Sequence, residues 1–393
     1  MHGTLVTKGG ATGGLSDLLA YFRERQPQMT ETLRKLVEME SPSNDKAAAD
    51  RLAAHLAETF ERLGGRTRLH RAEQFGDHVE AEFAGGAGKP VLLLGHYDTV
   101  WELGTLASMP FRIADGRAYG PGVYDMKAGI TLMMYALEGL LETRGALPRP
   151  VRLLLVSDEE VGSESSRAIT EGLARESAAV LVLEPATGPE GAVKTSRKGV
   201  GEYRVKITGI PVHAGIEPQK GASAIHELAR QIARIEKFND YERGLTVNVG
   251  VIGGGTRTNV VAAEAWAAVD VRVARMSDAP RIERKFRSLR PKDERCKLEV
   301  TGGVNRPPME RTEGVATLYE LARELARGLG VDLKESATGG GSDGNFTAAL
   351  GVPTLDGLGG LGDGAHARHE QVVLDALPWK AVLVAGLIAS VKD

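Results

Sequence analysis

Residues 90–98, PVLLLGHYD, are the stretch from which the fold can be predicted. The run is apolar throughout and then ends in His96 and Asp98. Two further stretches, PVRLLLVSDEE (150–160) and AAVLVLEP (178–185), have the same form, and segments with helical periodicity separate the three. Continuous apolar strands that alternate with helices form parallel sheets covered on both faces. We therefore predict an α/β fold with a mostly parallel sheet sandwiched by helices.

A second pattern begins at about Lys198, where the strands alternate apolar and polar residues. Its order is β-α-β-β-α-β, which is typical of a two-layer α+β domain of the split-βαβ (ferredoxin-like) type with an antiparallel sheet. After Pro307–Pro308 the first pattern resumes. We therefore predict that residues 198–306 are inserted between two parts of the first domain, 1–197 and 307–393. Residues 1–14 are expected to be a flexible lead-in rich in Gly and Thr, followed by helices at about 15–40 and 45–63.

Composition excludes several classes of protein. Lys plus Arg is 49 and Asp plus Glu is 52, a formal charge of −3, and neither sign forms long blocks. This argues against nucleic acid and membrane as partners. The single cysteine, Cys296, cannot form an internal disulfide and is expected to be a strand residue. No signal peptide or membrane-spanning run is evident, so we expect a cytoplasmic protein.

Polar residues gather at the predicted carboxyl ends of the strands and in two Gly-rich loops, where open parallel sheets bind ligands. They are His96, Asp98, Asp125, Glu159, Glu160, Glu184 and His366. Five carboxylates at one sheet edge would repel one another unless cations neutralised them. Two imidazoles and three carboxylates suit two divalent cations, with zinc as the first choice and cobalt or manganese as alternatives.

Two of the carboxylates are left for other work. Asp98, two residues after His96, can accept the second imidazole N–H and fix its tautomer. Glu159, beside Glu160, can take a proton from water at the cations. Taken alone, adjacent acids such as these two glutamates usually form a solvated turn.

Seven motifs follow in a fixed order: GHYDTVW (95–101), GPGVYDMKAG (120–129), SDEEVGS (157–163), LEP (183–185), GIPVHAG (209–215), GGGTRTNVV (253–261) and GGGSDGNF (339–346). In this order and spacing the sequence resembles the aminoacylase, desuccinylase and glutamate carboxypeptidase family of co-catalytic zinc metallopeptidases. The resemblance covers almost all of the chain after residue 14, and it is greatest to glutamate carboxypeptidases of the carboxypeptidase G type. It implies hydrolysis of an amide bond next to a free carboxylate, and a homodimer formed through the inserted lid and dimerisation domain.

The resemblance also implies roles in the metal centre. Asp125 would bridge the two metals, with His96 and Glu184 on one and Glu160 and His366 on the other. Glu159 would be the general base. His366 and His369 both lie near Glu370, but the histidine ligand of this family precedes its glutamate by about four residues, so we prefer His366. A cis peptide bond between Asp125 and Met126 is implied as well.

In the inserted domain, the resemblance implies that His213 reaches across a dimer to stabilise the oxyanion. Asn259 and Arg272 would bind substrate, and Arg272 would take its carboxylate because a planar guanidinium can bind a carboxylate bidentately. Gly340, Gly341 and Ser342 would present backbone groups near the substrate.

Other interpretations remain open. The same metal chemistry would serve an N-acyl-amino-acid deacetylase or desuccinylase, and a non-catalytic metal-binding scaffold is a third possibility, although a scaffold needs no general base. The GGGSDGN loop could be a plain helix N-terminus capped by Ser342 or Asp343. The basic residues Lys194, Arg197 and Lys198 could form a pocket for an acidic group or a solvated hinge.

Overall fold

The computed structural model describes residues 10–393, with side chains from Gly14 onward. The helices are α1 (Gly10–Glu24), α2 (Gln26–Glu38), α3 (Lys46–Arg62), α4 (Ala128–Arg144), α5 (Arg167–Arg175), α6 (Ala224–Ile235), α7 (Ala279–Arg287), α8 (Glu313–Gly328), α9 (Gly344–Ala349) and α10 (Leu377–Ser390). The strands up to the inserted segment are β1 (Arg66–His70), β2 (His78–Phe83), β3 (Val91–His96), β4 (Arg112–Ala114), β5 (Arg117–Tyr119), β6 (Val151–Val156), β7 (Ala179–Val182) and β8 (Val193–Arg197). The remaining strands are β9 (Gly199–Thr208), β10 (Thr246–Gly254), β11 (Glu264–Val273), β12 (Lys297–Arg306), β13 (Glu335–Thr338), β14 (Thr354–Leu355), β15 (Gly362–Asp363) and β16 (Gln371–Val373).

The largest sheet has the strand order β1-β2-β6-β3-β7-β14. Strands β6, β3, β7 and β14 pair in parallel, and β2 and β1 add an antiparallel edge. The predicted α/β fold with a mostly parallel sheet is therefore confirmed.

Apolar cores cover both faces of this sheet. In β3, Leu93 belongs to the core formed with α1 to α4 and α10, whereas Leu92 and Leu94 belong to a second core that includes Ala174 of α5. Successive strand residues point to opposite faces, so a strand buried on both sides has to be apolar at every position. This is why PVLLLG contains no polar residue before its carboxyl end.

The first helical region differs from the prediction in two ways. Of the expected lead-in, residues 1–9 lie outside the described residues, but residues 10–14 already belong to α1. The single helix expected at 15–40 is divided at Arg25, and α2 begins with Pro27 in its first turn. Proline lacks the N–H that a continuous helix would need there, but it is well tolerated in the first turn of a new helix.

Contacts divide the chain into two compact units. The first comprises the described residues up to Thr195 together with 311–337 and 342–393, and the second, here called the inserted unit, comprises 196–310 and 338–341. The inserted unit has a sheet of order β10-β11-β9-β12 with antiparallel pairing throughout. Its separate core includes Tyr203 stacked on Phe286 at 3.9 Å between ring centroids.

Among the described residues, none of the helices combines the length and apolar character needed to cross a membrane.

Candidate metal centre

The strands of the parallel sheet deliver their polar residues to one edge. His96 is the last residue of β3, Glu159 and Glu160 follow β6, and Glu184 follows β7. Since these strands are parallel neighbours, their carboxyl ends meet there. Asp125 and His366 reach the same place from loops.

Asp125 lies between the two histidines. Its Oδ1 is 3.2 Å from His96 Nε2, and its Oδ2 is 3.4 Å from His366 Nε2. His96 Nε2 is also 3.5 Å from Glu184 Oε1, and His366 Nε2 is 3.2 Å from Glu160 Oε1. Each imidazole therefore faces one oxygen of the shared aspartate and one glutamate.

This donor set fits two divalent cations that share Asp125. Ligand atoms of His96, Asp125 and Glu160 lie within 4.8 Å of one another, as do those of His96, Glu159 and Glu184. One nitrogen and two or more carboxylate oxygens per cation are suitable ligands for zinc and similar metals. The residues that the sequence suggested as ligands are thus brought together.

Electrostatics show how strongly this site favours positive charge. Burial acts to lower the pKa of His96, but hydrogen bonds to Asp125 and Asp98 and the charge of Glu184 raise it well above its ordinary value. Hydrogen bonds to Asp125 and Glu160 raise the pKa of His366 to about 10. Both shifts arise from the surrounding carboxylates, the negative charge that two cations would neutralise.

Asp98 connects the first imidazole to the glutamate pair. Its Oδ1 is 3.4 Å from His96 Nδ1 and accepts the Glu159 N–H at 3.3 Å, while its Oδ2 accepts the Glu160 N–H at 3.2 Å. Ser43 Oγ also donates to Oδ2 at 2.7 Å. The backbone carbonyl of Asp98 lies still closer to His96 Nδ1, at 3.0 Å, so Asp98 positions His96 through both its carbonyl and its carboxylate, and the Glu159–Glu160 turn through its carboxylate.

Local backbone geometry explains the loop that presents Asp125. Gly122 has φ +71°, and a Cβ there would lie 2.6 Å from Thr99 Cγ2, so only glycine fits. The Asp125–Met126 peptide bond is cis, as the resemblance implied.

His366 and His369 differ in what they reach. It is His366, with φ +63°, whose imidazole meets Asp125 and Glu160. His369 is exposed, and its ring lies beside Gly364.

Within the inserted unit, the structure brings His213 and Asn259 together. The Ala214 N–H donates to the Asn259 carbonyl at 2.9 Å, and His213 pairs with Val260 in an isolated β-bridge. The His213 side chain is exposed, and its Nδ1 accepts the Gly215 N–H at 3.1 Å.

Arg272 and the segment 339–341 also lie together in that unit. Arg272 donates from Nε and Nη2 to Asp270, and its Nη1 points to the Gly339 carbonyl at 3.5 Å. Arg197, only 3% exposed, donates to the carbonyls of Gly340 and Gly341 at 3.3 and 3.0 Å. Arg197 is therefore no part of a solvated hinge.

Ser342 is fully buried and its polar groups have internal partners. Its N–H donates to Asn345 Oδ1 at 2.9 Å, and its hydroxyl donates to Asp356 at 2.6 Å. The hydroxyl oxygen also accepts the Gly344 N–H at 3.1 Å, at the start of α9.

Three residues around the centre received no role from the sequence: Ser43, Trp101 and Glu370. Ser43 supports Asp98, and Trp101 Nε1 donates to Glu370 at 2.8 Å. The one available signal for Glu370 was its position four residues after His366.

Comparison with known proteins gives a consistent picture. Residues 92–390 match the family described as peptidase family M20/M25/M40. The sequence is 31% identical to carboxypeptidase G2 of Pseudomonas sp. (strain RS-16), covering 93% of this chain and 89% of that protein. It is 28% identical to succinyl-diaminopimelate desuccinylase of Dechloromonas aromatica, covering 72% of this chain and 78% of that protein. Among solved structures, the fold resembles that of YXEP of Bacillus subtilis, described as a dinuclear metal binding peptidase, with a TM-score of 0.68, 16% identity and coverage of 93% and 98%.

Proposed function

Because the chain belongs to peptidase family M20/M25/M40, we propose that it hydrolyses an amide bond next to a free carboxylate, releasing a C-terminal glutamate or a similar amino acid from its acyl group. The observation that carries this proposal is the shared position of Asp125, with one oxygen toward His96 and the other toward His366. Glu159, adjacent in sequence to Glu160, has its carboxylate within 4.8 Å of ligand atoms of His96 and Glu184.

The site residues have distinct tasks in this reaction. Asp125 would be shared by two cations, one held also by His96 and Glu184 and the other by Glu160 and His366. Two divalent cations bound there would polarise the substrate carbonyl and acidify water. Glu159 takes the proton from the attacking water and then delivers it to the leaving amine. Asp98 accepts the Glu159 backbone N–H and so keeps the Glu159 carboxylate directed toward the centre.

Residues of the inserted unit bind substrate in this proposal. Arg272 takes the free carboxylate, because Asp270 holds its guanidinium in one orientation and the planar fork suits a carboxylate. Asn259 and the backbone at Gly340 and Gly341 add polar contacts. For Ser342 the internal hydrogen bonds favour a supporting role in the loop.

We further propose that the chain is a homodimer formed through the inserted unit and that His213 stabilises the oxyanion in the partner's site. Strand β10 lies at an edge of its sheet, and Val251 and Ile252 on it are more than half exposed. Unpaired apolar edges favour pairing with another chain.

A second candidate is an N-acyl-amino-acid deacetylase or desuccinylase. It is favoured by the 28% identity to succinyl-diaminopimelate desuccinylase over 72% of the chain. The two candidates share the metal centre and the contact with the carboxylate, and they differ in the acyl group accepted.

A substrate panel tests both. The metal-free protein would be reloaded with zinc, cobalt or manganese and assayed on benzoyl, acetyl and succinyl amides of glutamate, aspartate and lysine. Each substrate has a matched control in which the carboxylate next to the amide is itself amidated. We expect metal-dependent hydrolysis that the control substrates lose. Equal rates with and without that carboxylate would refute the proposed specificity, and a preference for the acetyl or the succinyl amides would select the second candidate.

A further inference from the structure

Glu370 is a buried carboxylate surrounded by N–H donors. It is 0% exposed and comes directly before β16. Its Oε1 accepts the N–H groups of Tyr124 at 2.9 Å and Asp125 at 3.0 Å. Its Oε2 accepts the Gly122 N–H at 3.0 Å and the Trp101 indole N–H at 2.8 Å. Each carboxylate oxygen therefore takes two donors.

Three of these donors belong to the loop that presents Asp125. Buried backbone N–H groups need a hydrogen-bond acceptor, and for these three groups the acceptor is Glu370. A single side chain therefore determines the path of residues 122–125, including the amide of Asp125 itself.

The same side chain belongs to the segment that carries His366. Two short turns hold that segment together, because the Ala367 N–H donates to Gly364 at 2.8 Å and the Glu370 N–H donates to Ala367 at 2.9 Å. Glu370 therefore ties the loop of Asp125 to the loop of His366. Trp101, which lies three residues after Asp98 in the segment that follows β3, adds a third connection.

We propose that Glu370 is a positioning residue of the metal centre, which fixes Asp125 and His366 relative to each other before a cation binds. This inference rests on the proposed metal-dependent function, although its test needs no substrate. A pre-formed pair of ligands binds metal more tightly, because no loop has to be ordered on binding, and the loss of such supporting contacts typically weakens metal affinity about 10- to 100-fold.

Glu370→Gln is the sharpest variant. A glutamine has the same shape, but in either orientation of its amide an NH₂ group faces two N–H donors, so half of the contacts are lost. Glu227→Gln is the matched control. Glu227 is also 0% exposed and accepts backbone N–H groups, those of Lys292 at 2.9 Å and Asp293 at 3.1 Å, but it lies in the inserted unit.

The readouts are zinc affinity by competition with a chelating dye at 25 °C, the visible absorption spectrum of the cobalt-loaded protein, and the melting temperature. We expect both variants to melt earlier. Glu370→Gln should also bind zinc about 10- to 100-fold more weakly and alter the cobalt spectrum. Glu227→Gln should keep the wild-type affinity and spectrum.

Wild-type zinc affinity in a folded Glu370→Gln protein would overturn the proposal, and so would an equal loss in both variants. If Glu370→Gln does not fold, the inference is tested by measuring amide hydrogen exchange in the metal-free wild-type protein. The amides of Gly122, Tyr124 and Asp125 should be protected, and free exchange at these amides would refute the inference. Zinc binding is measured without substrate, so failure of this proposal is distinguishable from failure to find an amidase activity.

Discussion

Two carboxylates near the centre, Asp98 and Glu370, accept backbone N–H groups. Asp98 takes the amides of Glu159 and Glu160, and Glu370 takes those of the Asp125 loop. Hydrogen bonds to a charged acceptor are stronger than neutral ones, and they compensate for the burial of the charge. The site is thus built from carboxylates of two kinds, those proposed to hold cations and those that accept the N–H groups of the loops.

Glu159→Gln should reduce turnover by about 10²- to 10⁴-fold or more, because the amide cannot take a proton from water. Zinc content should stay at the wild-type level, since Glu159 is no ligand in this account. Both would be measured on the same preparation, by rate assay and elemental analysis. Glu164→Gln, an exposed glutamate five residues farther along the chain, is the control. Near-normal turnover in Glu159→Gln would remove this residue from the role of base.

Lys380 predicts a pH dependence of stability. Its amine is fully buried, with two carbonyl oxygens at 3.4 Å, and burial together with the charge of Lys194 lowers its pKa to about 7. Between about pH 7 and the ordinary lysine pKa near 10.4, the unfolded chain binds the proton and the folded chain does not. The free energy of unfolding contributed by this group therefore rises with pH across that window.

Lys380→Met removes this dependence. The free energy of unfolding of the variant, relative to that of wild type, should be highest at or below about pH 7. It should fall by on the order of a few kcal/mol between about pH 7 and pH 10. Denaturant unfolding at pH 7 to 10 measures it, with the exposed Lys237→Met as control. A difference between variant and wild type that does not vary with pH would contradict the assigned pKa.

Helix α4 packs closely against the strand end that leads to Glu184. A Cβ on Gly129, in its first turn, would lie 2.0 Å from the carbonyl oxygen of Leu183, the residue before Glu184. The backbone of α4 therefore contacts the backbone at the end of β7 directly. Glycine is therefore required for packing even though it is a poor helix former.

Gly129→Ala should therefore lower both the melting temperature and the zinc affinity, because the helix must move away from the strand that leads to Glu184. Gly172→Ala is the matched control, since Gly172 lies in α5 and a Cβ added there would have no neighbouring atom within 4 Å. The control should be neutral or stabilise by up to about 1 kcal/mol. Calorimetry and zinc titration of the two variants test this, and equal behaviour would contradict the packing argument.

The elements also show what the sequence could predict. β3 and β7 were predictable because a strand buried on both faces has to be apolar until its carboxyl end, where His96 and Glu184 appear; β6 follows the same pattern except for Arg152 near its start, and Glu160 follows its end. The break at Arg25 was missed because Pro27 is tolerated at a helix start and the apolar periodicity continues across it. Glu370 could not be predicted by side-chain chemistry, since three of its four donors are backbone N–H groups, which every non-proline residue has.

The whole molecule consists of two units with separate cores, and the proposed function needs both. Mixed dimers test the proposed role of His213. Glu159→Gln and His213→Ala should each be nearly inactive, whereas an equal mixture should recover up to about a quarter of wild-type activity, because half the dimers are mixed and one of their two sites is intact. Sedimentation would verify the dimers. No recovery in verified mixed dimers would contradict a site shared between subunits.

The arrangement of two cations around Asp125 is the claim on which the function depends. A crystal structure of the zinc-loaded protein, with anomalous difference maps collected at the zinc edge, tests it directly. We predict two peaks about 3.5–4 Å apart, one at His96 and Glu184, the other at Glu160 and His366, with Asp125 between them. A single peak, or peaks that leave Asp125 uncoordinated, would contradict the account.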